Sequence, residues 1–107
     1  MTDILLVFST FPDLDKARQT GTLLIESQLA ACVNLCPHIE SIYRWEGKTE
    51  TSSEVLAIFK TTTQSYPALE QRLRELHPYE VPEIVALPAT QASAAYAQWV
   101  IEQTMKW

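Results

Sequence analysis

Residues 31–63, ACVNLCPHIESIYRWEGKTETSSEVLAIFKTTT, decide the fold. They read as two strand runs about one turn. ACVNLC (31–36) and IESIYRW (39–45) are rich in β-forming residues, with Pro37 interrupting them, and Ile39, Ser41, Tyr43 and Trp45 share one face. Glu46-Gly47-Lys48 is the turn, where Gly47 can take a positive φ without a Cβ clash. The return run, 49–63, is densest at VLAIFKT (55–61). Arms of 31–45 and 49–63 each reach about 50 Å at 3.3 Å per residue. A domain of this length has a radius of gyration of about 13 Å, a sphere about 34 Å across. Unless the ribbon bends sharply at Pro37, its tip carries Tyr43 and Trp45 beyond the body, where another chain must cover them. Ribbon length therefore predicts an oligomer.

Upstream, ILLVFST (4–10) is apolar on successive residues, the pattern of a central strand buried on both faces. Pro12-Asp13 opens a helix, with Asp13 as N-cap and Asp15 favourable in the first turn. Leu14, Ala17, Gly21, Leu24, Ile25 and Gln28 step by threes and fours along its buried stripe. Gly21 costs about 1 kcal/mol against Ala in a helix and allows close approach to the sheet. Downstream, a second helix is expected at 66–77, with Pro67 in its first turn and Tyr66, Leu69, Leu73 and Leu76 as its stripe. His77-Pro78 stops it, and HPYEVPE (77–83) is a stiff loop. EIVALP (83–88) is a strand, and Ser93 to about Thr104 a last helix with Tyr96, Trp99, Val100 and Gln103 on one side.

This order predicts the α+β class: a ferredoxin-like βαββαβ sandwich with an antiparallel sheet, helices on one face, a long hairpin between the second and third strands and an extra C-terminal helix. No repeat or linker divides residues 1–107, so a single domain is expected.

Composition narrows the functions. With 47% hydrophobic and 20% charged residues the chain is globular, and no apolar run approaches the roughly 18 residues that would mark a membrane-spanning helix. The first residues lack the basic start of a signal peptide, so cytoplasm is the expected compartment. The net charge of −5 is evenly spread, and eight bases dispersed among thirteen acids argue against a nucleic-acid partner. Two glycines leave little room for a phosphate-cradling loop, and no G-x-S-x-G, H-E-x-x-H or dinucleotide fingerprint is present. No sequence pattern marks an enzyme.

Cys32 and Cys36 on a strand would share a face about 13 Å apart, too far for a disulfide, and read as small buried hydrophobes. His38 reads as an exposed loop polar residue. His77 closes a helix, where the dipole is expected to favour imidazolium and raise its pKa. A copper-chaperone domain would need Cys-x-x-Cys after the first strand, where this chain has Ser9-Thr10-Phe11-Pro12. An RNA-recognition strand would need more aromatics and a glycine than 55–61 offers.

LAACVNLCP (29–37), SIYRWEGK (41–48), FKTT (59–62) and HPYEVPEIVALP (77–88) resemble, in order and spacing, the CutA divalent-cation-tolerance family. The resemblance covers essentially the whole chain, and SIYRWEGK and HPYEVPE are its most specific blocks. It implies a ferredoxin-like subunit in a tight homotrimer with interlocking hairpins. It also implies a non-enzymatic role in tolerance of copper or another divalent cation. Copper ligands proposed in some members fall by position on Ser9, Leu76 and His77, and only His77 retains a metal-binding side chain. One imidazole with a hydroxyl is a poor soft-metal site, so weak metal binding is expected. The resemblance also brings forward Trp45, Glu54, Lys60, Tyr79, Glu83 and Trp99 as the lining of intersubunit clefts. Those clefts suit a second function, a small-ligand-binding signalling trimer. The bland reading of the same residues is an intersubunit Lys60–Glu54 ion pair with the tryptophans as packing.

Overall fold

The long ribbon is present. In the computed structural model, which describes residues 2–105, β2 runs Cys32–Trp45 and β3 Lys48–Thr62. Only Glu46 and Gly47 lie between them, with φ of 50° and 78°, the doubly positive geometry that matches the twist of a two-residue hairpin. β1 (Ile4–Phe11) and β4 (Val85–Pro88) complete a sheet of order β2-β3-β1-β4 in which every pair is antiparallel. β1 therefore has a neighbour on each side, as its unbroken apolar run predicts. The helices are α1 (Leu14–Glu26), α2 (Tyr66–Leu76) and α3 (Ala94–Gln103).

The register contains one irregularity. Cys36 pairs with Leu56 and Ile39 with Glu54, so Pro37 and His38 face the single residue Val55 in a β-bulge. His38 sits at φ 64°, a left-handed position uncommon for residues other than glycine but one that histidine adopts more readily than most. The extra residue reverses the alternation of β2. It therefore puts Ile39, Ser41, Tyr43 and Trp45 on the side of Cys32, Asn34 and Cys36 rather than on the opposite one.

Two faces result. On β3, Val55, Ala57, Phe59 and Thr61 are buried, opposite Phe11, Ser9, Val7 and Leu5 of β1. Ala17 and Leu24 of α1 and Leu69 and Leu73 of α2 close this face into the main core. The Asp13 carboxylate accepts from Lys16 N at 2.8 Å, as an N-cap should. A Cβ on Gly21 would stand 3.1 Å from Val33 Cγ1, so glycine sets how closely α1 approaches β2. The other face carries Leu6 and Phe8 of β1, Leu56, Ile58 and Lys60 of β3, and Val85 and Leu87 of β4. Helices on one face was the expectation, and α1 and α2 meet it. α3 instead lies over one end of the other face, where Val100 packs with Ile4 and Ala31. The rest of that face is uncovered.

The molecule measures 44 × 25 × 22 Å with a radius of gyration of 14.3 Å. It exposes 6843 Å², against about 6,000 Å² for a compact monomer of this mass. The projecting ribbon accounts for the excess, and it leaves Ile42, Tyr43 and Trp45 exposed.

Candidate functional site

The chemistry gathers where the ribbon leaves the body. β1 stops at Phe11, opposite Val55, so Glu54, the next residue along β3, has no β1 neighbour. The loop after α2 fills the gap. His77, the C-cap of α2, stacks its ring on Phe11 with centroids 4.5 Å apart. Its Nδ1 accepts from the Tyr79 backbone N–H at 3.0 Å, which fixes the proton on Nε2, and Nε2 donates to the Thr10 carbonyl at 2.8 Å. Two residues on, the Tyr79 hydroxyl donates to Glu54 Oε2 at 2.6 Å. Thr10, His77, Tyr79 and Glu54 thus tie together the end of β1, the α2–β4 loop and the root of the ribbon. Glu54 is only 8% exposed, and no Lys, Arg or His among the described residues makes an ion pair with it.

The electrostatics differ from expectation at His77. Burial lowers its pKa and outweighs the Thr10 hydrogen bond and the nearby Glu54 carboxylate, both of which favour imidazolium. The helix-end dipole does not decide the matter, because the ring has left the solvent. Burial also pushes the Tyr79 hydroxyl far above its ordinary range, helped by the bond to Glu54 and by the proximity of Tyr43 and Asp13. Tyr79 therefore remains a donor at any physiological pH.

Of the residues singled out in the sequence, this cluster unites Glu54, His77 and Tyr79. Trp45 stands at the ribbon tip, and Glu83 is exposed near the end of the α2–β4 loop. Trp99 is partly exposed on α3, tilted against Tyr96 at 5.6 Å. Lys60 lies six positions from Glu54 on the same face of β3, about 20 Å away. Its ammonium donates to Asn34 Oδ1. Four participants were missed: the Thr10 carbonyl, Phe11, Asp13 and Tyr43. Phe11 alone carried a signal, an aromatic at the strand end just before Pro12.

The residues at 9, 76 and 77 do not fit a copper ion. Both nitrogens of His77 are engaged within the fold, and Leu76 packs against the main core. Ser9 is fully buried, its hydroxyl without a partner, facing the helices rather than any opening. Among the described residues no three His, Cys, Asp or Glu side chains converge to hold a metal. A hollow of about 670 Å³ opens at the far end of the sheet, beside Asp3, Thr62, Ser65 and Thr104, away from this cluster. Its inner hydroxyls are already used: Thr62 Oγ1 accepts from Ser65 N, and Thr104 Oγ1 donates to Val100 O. Polar and aromatic groups meet at the ribbon root, and this hollow has little chemistry in it.

Fold and site together define a ferredoxin-like α+β protein with an overlong hairpin, an uncovered sheet face and a buried carboxylate at the hairpin root. Residues 5–103 match the family model of the CutA1 divalent ion tolerance protein, and the chain belongs to that family. It is 44% identical over 104 residues to the divalent-cation tolerance protein CutA of Thermus thermophilus, covering 97% of this chain and 99% of that one. To human Protein CutA it is 47% identical over 97 residues, 91% of this chain but only 54% of the human protein. The crystal structure of CutA from Xylella fastidiosa superposes with a TM-score of 0.95 at 38% identity, covering 97% of this chain and all of that one.

Proposed function

We propose that the chain acts as a homotrimer in tolerance of copper and other divalent cations, in the cytoplasm, without catalysing a reaction and without a nucleic-acid or membrane partner. The uncovered sheet face carries this reading. Val85 and Leu87 expose about half their surface there, Leu56 and Ile58 lie between them and the ribbon, and exposed apolar patches of this kind mark association sites. Family membership supports the tolerance role, as do relatives named for divalent-cation tolerance. No helix among the described residues is long and apolar enough to cross a membrane.

In this reading metal binding is weak. Trp45, Glu54, Lys60, Tyr79, Glu83 and Trp99, dispersed within one subunit, line clefts between subunits. A second reading, a trimer that binds a small ligand in those clefts and signals its presence, is favoured by the Tyr79–Glu54 bond, since a hard oxygen pair suits an organic ligand better than a soft ion. Equilibrium dialysis against micromolar Cu²⁺ and Zn²⁺ tests the weak-binding reading. Less than one ion per chain is expected, unchanged in His77→Ala. Stoichiometric uptake lost in that variant would overturn it.

A further inference from the structure

The two halves of the β2–β3 ladder are out of step by one residue. Cys32↔Lys60 through Cys36↔Leu56 keep one register and Ile39↔Glu54 through Trp45↔Lys48 the next, with the Pro37–His38 bulge between them. This pairing needs two left-handed residues that carry a Cβ, His38 at φ 64° and Glu46 at φ 50°, one at each end of the ribbon. A second pairing needs neither. Continued in step from Cys36, the ladder sets Glu40 opposite Ser52, Ser41 opposite Thr51 and Arg44 opposite Lys48. The turn then becomes Trp45-Glu46-Gly47. A three-residue hairpin loop takes two right-handed residues and then a left-handed one, and Gly47, at φ 78°, already supplies the last.

Burial within the subunit does not choose between the two. No residue from Pro37 to Ser53 is buried, and each face of the ribbon exposes a large apolar side chain, Trp45 at 52% on the open side and Ile42 at 69% on the other. Hydroxyls line both faces of β3, so Glu40 meets a serine in either register and Ser41 a hydroxyl. Register is weakly specified where neither face is buried. The slip loses the Tyr43–Ser52 hydroxyl bond and sets Arg44 against Lys48, both in water, where such contributions are small. It also exchanges the faces: Ile39, Ser41 and Tyr43 leave the open side, and Glu40, Ile42 and Arg44 take their place. We propose that the ribbon is a register switch: the free subunit populates both pairings, and a second copy of the chain, docking on the open face, selects the bulged one. This rests on the homotrimer reading. Only the bulged register continues the run of Cys36, Leu56 and Ile58 with Ile39 and Tyr43, so a neighbour seated along that face binds one register better and shifts the population toward it.

Nuclear magnetic resonance of the dissociated chain tests the switch. Ile58→Asp supplies that chain, and Val85→Asp with Leu87→Asp serves where Ile58→Asp does not fold or does not dissociate. Cross-strand contacts should place Ser41 beside Ser52 in some molecules and beside Thr51 in others, the second in at least about a tenth of them. Adding His38→Gly and Glu46→Asn, which suit the left-handed positions of the bulged register, should remove the Thr51 contact. A smaller slipped fraction in the dissociated chain, or a Thr51 contact that survives the two added substitutions, would overturn the switch while leaving the trimer intact. A wild-type chain of single-subunit mass by light scattering would defeat the homotrimer reading instead, whichever registers it shows.

Discussion

The two faces of one sheet are built to different standards. Beneath α1 and α2, Val7, Phe11, Ala57, Phe59, Leu69 and Leu73 are essentially inaccessible, and among the described residues the only buried side-chain polar atom without a partner is the Ser9 hydroxyl. Across the sheet, residues of similar size and apolarity are half-exposed, and charges stand alone. The difference cannot lie in the strands, which contribute alternate residues to each face from the same sequence. It lies in coverage: helices follow β1 and β3 onto one side, and only α3 returns to the other, over one end. The covered face specifies the fold, and the open one carries the proposed association.

The largest effect expected from this contrast is at adjacent residues. Phe59→Ala should lower subunit stability by about 3–5 kcal/mol in urea unfolding, because the cavity opens in a closed core. Ile58→Asp, one residue away and on the other face, should leave the far-ultraviolet circular dichroism of the subunit intact while driving the assembly apart. Comparable losses of subunit structure in the two variants would erase the distinction between the faces.

A smaller change sharpens it. Ser9→Ala removes a buried hydroxyl that has no partner, so stability should stay level or rise by about 1 kcal/mol, where core substitutions usually cost. A clear loss would mean that the hydroxyl is bonded in solution and that the core is less dry than it looks.

The smallest effect concerns pH at the seam between the faces. Because burial holds the His77 pKa below its ordinary value, the unfolded chain takes up a proton first as pH falls. Stability contributed by the neutral ring is therefore complete above about pH 6.5 and declines as pH falls toward the folded-state value. Protonation would also turn Nδ1 into a donor facing the Tyr79 N–H. His77→Gln should flatten the slope of stability between pH 7 and 5, and an unchanged slope would assign it to other groups.

Most of the fold was legible in the sequence because it rests on local rules. The cap at Asp13, the turn at Gly47 and the dense strand run at 55–61 each depend on neighbours a few residues away. The site was legible only in part. Glu54 and Tyr79 are 25 residues apart, and their contact depends on β1 ending one residue short of Glu54. The tautomer of His77 depends on a backbone N–H two residues downstream, and its lowered pKa on a burial that the helix-end position conceals. The side chosen by α3 depends on which apolar face is still free once α1 and α2 have docked. These outcomes belong to packing order, and hydrophobic period does not encode them.

The central claim is that the open face is closed by further copies of the chain. Light scattering after size exclusion at micromolar concentration tests it most directly. The account predicts a mass near three times the 12.1 kDa subunit. A stable species of one subunit mass, with Trp45, Val85 and Leu87 left in water, would contradict it.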